Sequence, residues 1–173
     1  MSSRTRTLSG WAVVLVAALV CALGGWSYAQ ARGDDDLAYA KSRDAALADG
    51  RADLARLNSL DGKDGASVDA GLAAWLDAST GPLHDQLKRT RTKDAAELKK
   101  SGATARGKVT DAALTEVDER TGTALMIATV DVEVTPRTGK AGTERKRFEA
   151  TLVRTGDGWK IKALTALGIG GGA

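Results

Sequence analysis

Hydrophobic and polar positions change their rhythm three times along this chain. From Leu8 to Ala29, 22 residues pass without one charge, enough for ~33 Å of helix at ~1.5 Å per residue. A bilayer's hydrocarbon core is about 30 Å thick. Behind this run, "DDDLAYAKSRDAALADG" is rich in Ala and Leu, opens on acids that favour a helix N-terminus and closes on Gly50, so it predicts a helix. "RADLARLNSLDGKDGAS" interrupts the pattern, and Gly62 and Gly65 predict an exposed turn between helices. Val68, Leu72, Trp75 and Leu76 then share one helical face. Thr80-Gly81-Pro82 stops that helix and starts another, on which Leu83, Leu87 and Leu98 form a sparse apolar stripe among charges.

At Lys108 the period falls to two. Ala124, Met126, Ala128, Val130, Val132 and Val134 alternate with Leu125, Ile127, Thr129, Asp131 and Glu133, as in a strand with one buried face. "ERKRFEATLVR" puts Phe148, Ala150 and Leu152 on one face, and "GWKIKAL" does the same with Trp159, Ile161 and Ala163. With "KVTDAALTEV" these make four strands, the last two joined closely through Gly156-Asp157-Gly158 and the middle two through a longer loop over Gly139 to Gly142. Helices followed by a meander predict an α+β fold, helices packed on one face of a curved antiparallel sheet.

The expected organisation is a cytoplasmic N-terminus at 1–7, a transmembrane signal-anchor helix at 8–29, a helical stalk or first helix at 30–50, the remainder of an extracytoplasmic α+β domain at 51–167 and a tail at 168–173. Arg4 and Arg6 ahead of the apolar run favour a cytoplasmic N-terminus, and Trp11, Trp26 and Tyr28 stand near its ends, where amphipathic rings prefer the headgroup level. The rival is a cleaved signal peptide, because Ser27 and Ala29 are small residues at the positions a signal peptidase reads before Gln30. Cys21 follows Val20 deep within the run and reads as an apolar filler, not a lipidation site, leaving the outer domain without a cysteine.

Composition alters the picture at one point. The formal net charge of +3 suggests nucleic acid until Arg4 and Arg6 are set aside; the remaining 23 basic residues face 22 acidic ones. A domain so nearly neutral gives no bulk-charge argument for nucleic acid.

Candidate chemistry is sparse. His84, the single histidine, has no cysteine near it in sequence and reads as a surface histidine. Asp34, Asp35 and Asp36 lack the spacing of a calcium loop. "GKAGTE" has no Lys-Ser/Thr behind its glycines and is not a phosphate loop. Asp131 and Glu133 share a strand face and could line a cavity, but the apolar series occupies the opposite face, so both are expected outside. "KRTRTK" at 88–93 and "ERKRF" at 144–148 are basic, but they lack the stacking aromatics of a single-strand binder. They read as solvated faces or contacts with a protein partner or anionic lipid. No residue is assigned a catalytic, cofactor-binding or metal-binding role.

The order of a short basic N-terminus, an apolar helix, an Ala-rich helix, "LDASTGPLHDQL" and "ATLVRTGDGWKIKAL" resembles the actinobacterial Mce-associated membrane proteins. Thr80 to Leu83 match that family's helix stop and restart; Leu152-Val153-Arg154 and Asp157-Gly158-Trp159 match its closing hairpin. Asn58-Ser59-Leu60-Asp61 departs from it, standing where members often carry an aromatic pair. The resemblance implies an outer domain similar to nuclear transport factor 2-like and VirB8-like folds, with Trp159 plugging the sheet against the helices. It also implies a non-enzymatic accessory subunit that binds or stabilises cell-envelope proteins, in the family's case those of Mce-type lipid or sterol transport systems. Two alternatives stay open: a cone that binds an apolar ligand or lipid, which needs a continuous apolar cavity, and a small-molecule isomerase or dehydratase, which needs a carboxylate or His84 inside one.

Overall fold

The structure is a computed structural model, and it describes Cys21, Trp26 and residues 36–168. The anchor expected at 8–29 therefore lies outside the described residues apart from Cys21 and Trp26. Among the described residues, no helix is long and apolar enough to cross a membrane. The chain divides into two compact units, Met1–Lys41 and Ser42–Ala173. In the first, Cys21, Trp26 and residues 36–41 have helical backbone, and Cys21, Trp26, Leu37 and Tyr39 are exposed. Asp36 is the described member of the acidic triplet.

The second unit begins with helix α1, residues 42–57. It continues through a short strand β1 (Leu60–Asp61), helices α2 (Gly65–Asp77) and α3 (Gly81–Ser101), and strands β2 (Thr104–Asp118), β3 (Thr123–Thr135), β4 (Gly142–Thr155) and β5 (Gly158–Leu167). The strands form one antiparallel sheet in the order β1-β2-β3-β4-β5. The α+β fold with helices ahead of a meander is as expected, with a fifth strand in addition to the four predicted.

Ala124, Met126, Ala128, Val130 and Val132 of β3 are buried together with Phe148, Ala150 and Leu152 of β4 and with Trp159 and Ile161 of β5. Ala46 and Leu54 of α1 join them in the same cluster, so α1 packs on this inner face. A smaller cluster holds Leu60, Val68 and Leu72, with Trp75 and Leu98 packed against it. Trp75 is half-buried, and its indole N–H donates to the Ser59 carbonyl at 2.9 Å.

Three local expectations need correction. Gly50 does not close the first helix, which runs to residue 57. A Cβ there would lie 3.0 Å from both Leu152 Cδ1 and Met126 Sδ, so glycine lets the helix approach the sheet. Gly62 is not in an exposed turn: it is buried behind β1, and a Cβ on it would meet the Ala103 carbonyl oxygen at 2.2 Å. The chain uses this close approach to pair Leu60 and Asp61 with Ala105 and Thr104. Finally, Ala163 does not share the face of Trp159 and Ile161. Leu152 pairs with Ile161 but Thr151 with Ala163, so Lys162 is an extra residue that reverses the alternation. Leu164 consequently packs against the core and Ala163 is exposed.

The same device acts twice in β2. Thr110 and Thr115 are unpaired between registered neighbours, and their hydroxyls donate to the Thr129 and Leu125 carbonyls at 3.3 Å. Inward positions pass from Ala105 and Val109 to Ala112 and Leu114, then to Val117. Bulges also bend a strand, which accounts for one continuous inner face around α1.

Helix ends follow local chemistry. Asp64 caps α2 by accepting from Ser67 N at 2.8 Å. Thr80 precedes α3, Pro82 stands in its first turn, and Gly102 ends it in the left-handed conformation at φ 60°. Between α2 and α3 the chain runs beside β5: Ile161 N donates to the Ala78 carbonyl at 3.1 Å, and Thr80 N donates to the Ile161 carbonyl at 2.9 Å.

Candidate functional site

The inner sheet face carries the core, and the outer face and the cleft beside α1 are surfaces open to another molecule. On the outer face of β3, Leu125, Ile127, Thr129, Asp131 and Glu133 follow one another. Their neighbours on β2 are Glu116, Ala113, Asp111, Lys108 and Arg106; on β4 they are Thr151, Glu149, Arg147, Arg145 and Thr143. The face thus has an apolar middle flanked by charges. Ile127 is 43% exposed and Leu167 41% exposed; both line a hollow of about 380 Å³ that also takes in Arg51 of α1 and the inner-face residues Ala128 and Phe148.

Asp131 and Glu133 fall on this outer face, opposite Val130 and Val132. Asp131 stands across from Arg145, whose Nε donates to Oδ1 at 2.8 Å and Nη2 to Oδ2 at 3.2 Å. This paired guanidinium holds the Asp131 carboxyl below the ordinary carboxylate range. Asp131 is therefore an ionised salt-bridge partner at neutral pH and a poor general base. Glu133 is exposed.

His84 sits in the first turn of α3, half-buried, with Nδ1 3.8 Å from Asp85 Oδ1. It lines an open hollow with Ser79, Thr80, Thr155, Asp157 and Lys160. The basic residues of 88–93 lie on α3 and are exposed, with Lys93 3.9 Å from Glu97. In 144–148, Arg145 is taken by Asp131, Lys146 lies 3.3 Å from Glu144, and Phe148 is buried. Gly139 to Ala141 lie in the β3–β4 loop, and Gly142 to Glu144 begin β4. Among the described residues, no group of three or more His, Cys, Asp and Glu is placed to hold a metal ion.

A second feature went unread in the sequence. Asp53 of α1 is only 4% exposed, although it stands among charged residues in "RADLARL". Its Oδ1 accepts from Arg56 Nη1 at 2.7 Å. Burial nevertheless pushes its carboxyl up to about 6, outweighing the guanidinium, and Asp49 and Asp77 add to the rise. Asp49 accepts the Trp159 N–H at 3.0 Å, and Lys160 Nζ lies 3.3 Å from Asp77 Oδ1. The available signal was spacing: Asp49 and Asp53 are four apart on a helix, as are Ala46 and Gly50 of the buried stripe.

Trp159, expected in the core, is 4% exposed there, with the Arg154 guanidinium 5.0 Å from its ring centroid. Asn58 and Ser59 do not form a surface that replaces an aromatic pair. The Asn58 side chain donates to the Leu54 carbonyl at 2.9 Å, and Ser59 Oγ accepts from Gly107 N at 2.9 Å. They close the end of α1 against β2.

These features define an α+β domain with helices on the inner face of an antiparallel meander. Solved structures that share this fold include the following two. One is a periplasmic fragment of TraM, with a TM-score of 0.55 and 16% identity over 72% of this chain and 96% of that one. The other is CagV from Helicobacter pylori strain 26695, a VirB8 homologue of a T4SS, with a TM-score of 0.56 and 10% identity over 72% and 98% of the two chains. No protein-family model and no curated protein matches the chain. At these identities the likeness defines the fold.

Proposed function

We propose that this chain is a non-enzymatic, membrane-anchored accessory protein whose α+β domain lies outside the membrane and binds or stabilises other cell-envelope proteins. One observation carries the reading: the domain shares its fold with almost the whole of the TraM fragment and of CagV, and an uncharged run of 22 residues stands in front of it. The TraM fragment is periplasmic and CagV is a T4SS protein; both attributes suit a domain held at a membrane among protein partners. The outer sheet face suits the same role, because Ile127 and Leu167 offer apolar area between charged positions, as in the core and rim of a protein interface. The resemblance to Mce-associated proteins supports the finer reading, service to an Mce-type lipid or sterol transporter.

Co-purification tests this reading. The full chain should bring down envelope proteins in fixed ratio from detergent-solubilised membranes, with its N-terminus intact by mass spectrometry. A form exported by a cleavable signal and lacking residues 8–29 should lose them, while His84→Ala and Asp131→Asn should keep the cellular role. Mce subunits among the partners support the finer reading, and other envelope proteins alone support only the broader one. A mature chain that starts at Gln30 removes the anchor. Recovery of the chain alone, with the role lost in a folded His84→Ala or Asp131→Asn variant, overturns the accessory reading.

A further inference from the structure

The cleft that holds Asp53 joins three parts of the domain. Asp49, Asp53 and Arg56 come from α1, Asp77 from the end of α2, and Asp157, Trp159 and Lys160 from the β4–β5 hairpin, around a space of about 160 Å³. Four carboxylates face two cations. The cations are already engaged, Arg56 by Asp53 and Lys160 by Asp77. Arg56 lies on the solvent side, its side chain 53% exposed, whereas that of Asp53 is 6% exposed, so the pair's attraction is weakened by water on one side while the carboxylate bears the cost of burial.

We propose that Asp53 is a proton-operated latch, which closes the joint between α1, the end of α2 and the β4–β5 hairpin when neutral and loosens it when charged. As a carboxylate, Asp53 adds a like charge beside Asp49 on the same helix and beside Asp77 across the cleft, and it favours states that admit water. Taking a proton from solvent removes both penalties, and the arrangement is then held by the remaining contacts. One of these reports on the cleft directly, the Trp159 N–H donated to Asp49 Oδ2. It cannot survive separation of the hairpin from α1. Asp157 and Lys160 belong to the moving side, so the hairpin carries one acid and one base against a helix face bearing Asp49, Asp53 and Arg56.

The size of the effect follows from linkage. An opened cleft returns Asp53 to its ordinary value of 3.8 from about 6 in the closed one. Lowering the pH from 7.5 to 5 should then reduce the opening constant about tenfold. The test uses the full chain in mild detergent, with side-chain carboxyl carbons titrated by NMR and hydrogen exchange of the Trp159 amide measured at both pH values and corrected for intrinsic exchange. The wild type should titrate at Asp53 near pH 6 and gain about tenfold protection at pH 5. Asp53→Asn should show high protection that no longer changes with pH. Asp77→Asn, which leaves the buried carboxyl in place, should lower the Asp53 midpoint and shrink the gain, and this arm holds even if Asp53→Asn does not fold. An Asp53 midpoint near 4, or an equal pH response in the wild type and Asp53→Asn, would overturn the latch.

Discussion

Replacing Gly62 by alanine adds one methyl group at a place where the backbone has left no room. A Cβ at this position would stand 2.2 Å from the Ala103 carbonyl oxygen, 3.0 Å from its nitrogen and 3.1 Å from its carbonyl carbon. Gly62 has no positive φ, so alanine tolerates the backbone conformation and the cost is steric. The obstructing atoms are main chain, and relief requires β1 to move away from β2 by about 1 Å, well beyond the few tenths of an ångström that flexible side chains yield. That shift breaks the pairing of Asp61 with Thr104 and the 3.0 Å bond from Thr104 Oγ1 to Asp61 Oδ1. It also withdraws Leu60 from Val68 and Leu72. Overpacking of this kind costs ~3 kcal/mol, which corresponds to a fall in Tm of about 10 °C for a domain of this size. Thermal melting followed by far-UV circular dichroism and urea titration would measure it. Gly142→Ala is the matched control, because nothing lies within 4 Å of its Cβ and its φ is not positive; it should leave stability unchanged or raise it by ~0.5 kcal/mol. If Gly62→Ala melts within about 2 °C of the parent, the close approach of Gly62 to Ala103 is refuted.

Trp159→Ala should cost ~3 to 5 kcal/mol, because a ring only 4% exposed leaves a cavity among Ile161, Leu152 and α1; an unchanged urea midpoint would remove Trp159 from the core. Global stability should peak near pH 5, as urea midpoints across pH 3 to 8 would reveal. Asp61 and Asp64 are held low by the Lys63 and Ser67 backbone N–H groups, Asp118 by the Thr121 hydroxyl and Asp131 by Arg145. Depressed acids stabilise above their ordinary value, and that contribution is lost as pH falls through the folded-state values. Asp53 acts in the opposite sense: its contribution is full below 3.8 and is lost as pH rises through about 6. Stability that climbs steadily from pH 5 to 8 would contradict this balance.

What the sequence determined by itself is whatever depends on neighbours along the chain. The alternation from Ala124 to Val134 selects a strand with one buried face, since successive side chains point to opposite sides. Thr80-Gly81-Pro82 announces the stop of α2 and the start of α3, since the fixed φ of proline suits a first helical turn. The outward placement of Asp131 and Glu133 follows from the same alternation. Tertiary structure decided the points where two distant segments compete for one space. Gly50 is a helix terminator by propensity, yet the helix continues because its bare Cα lets Leu152 and Met126 pack against it. Thr110, Thr115 and Lys162 reverse the strand phase, because one inserted residue exchanges faces and only the partner strand's register reveals the insertion. Asp53 reads as one more surface acid until α2 and the β4–β5 hairpin close over it. Its burial is a property of three segments meeting, and no single one of them contains it.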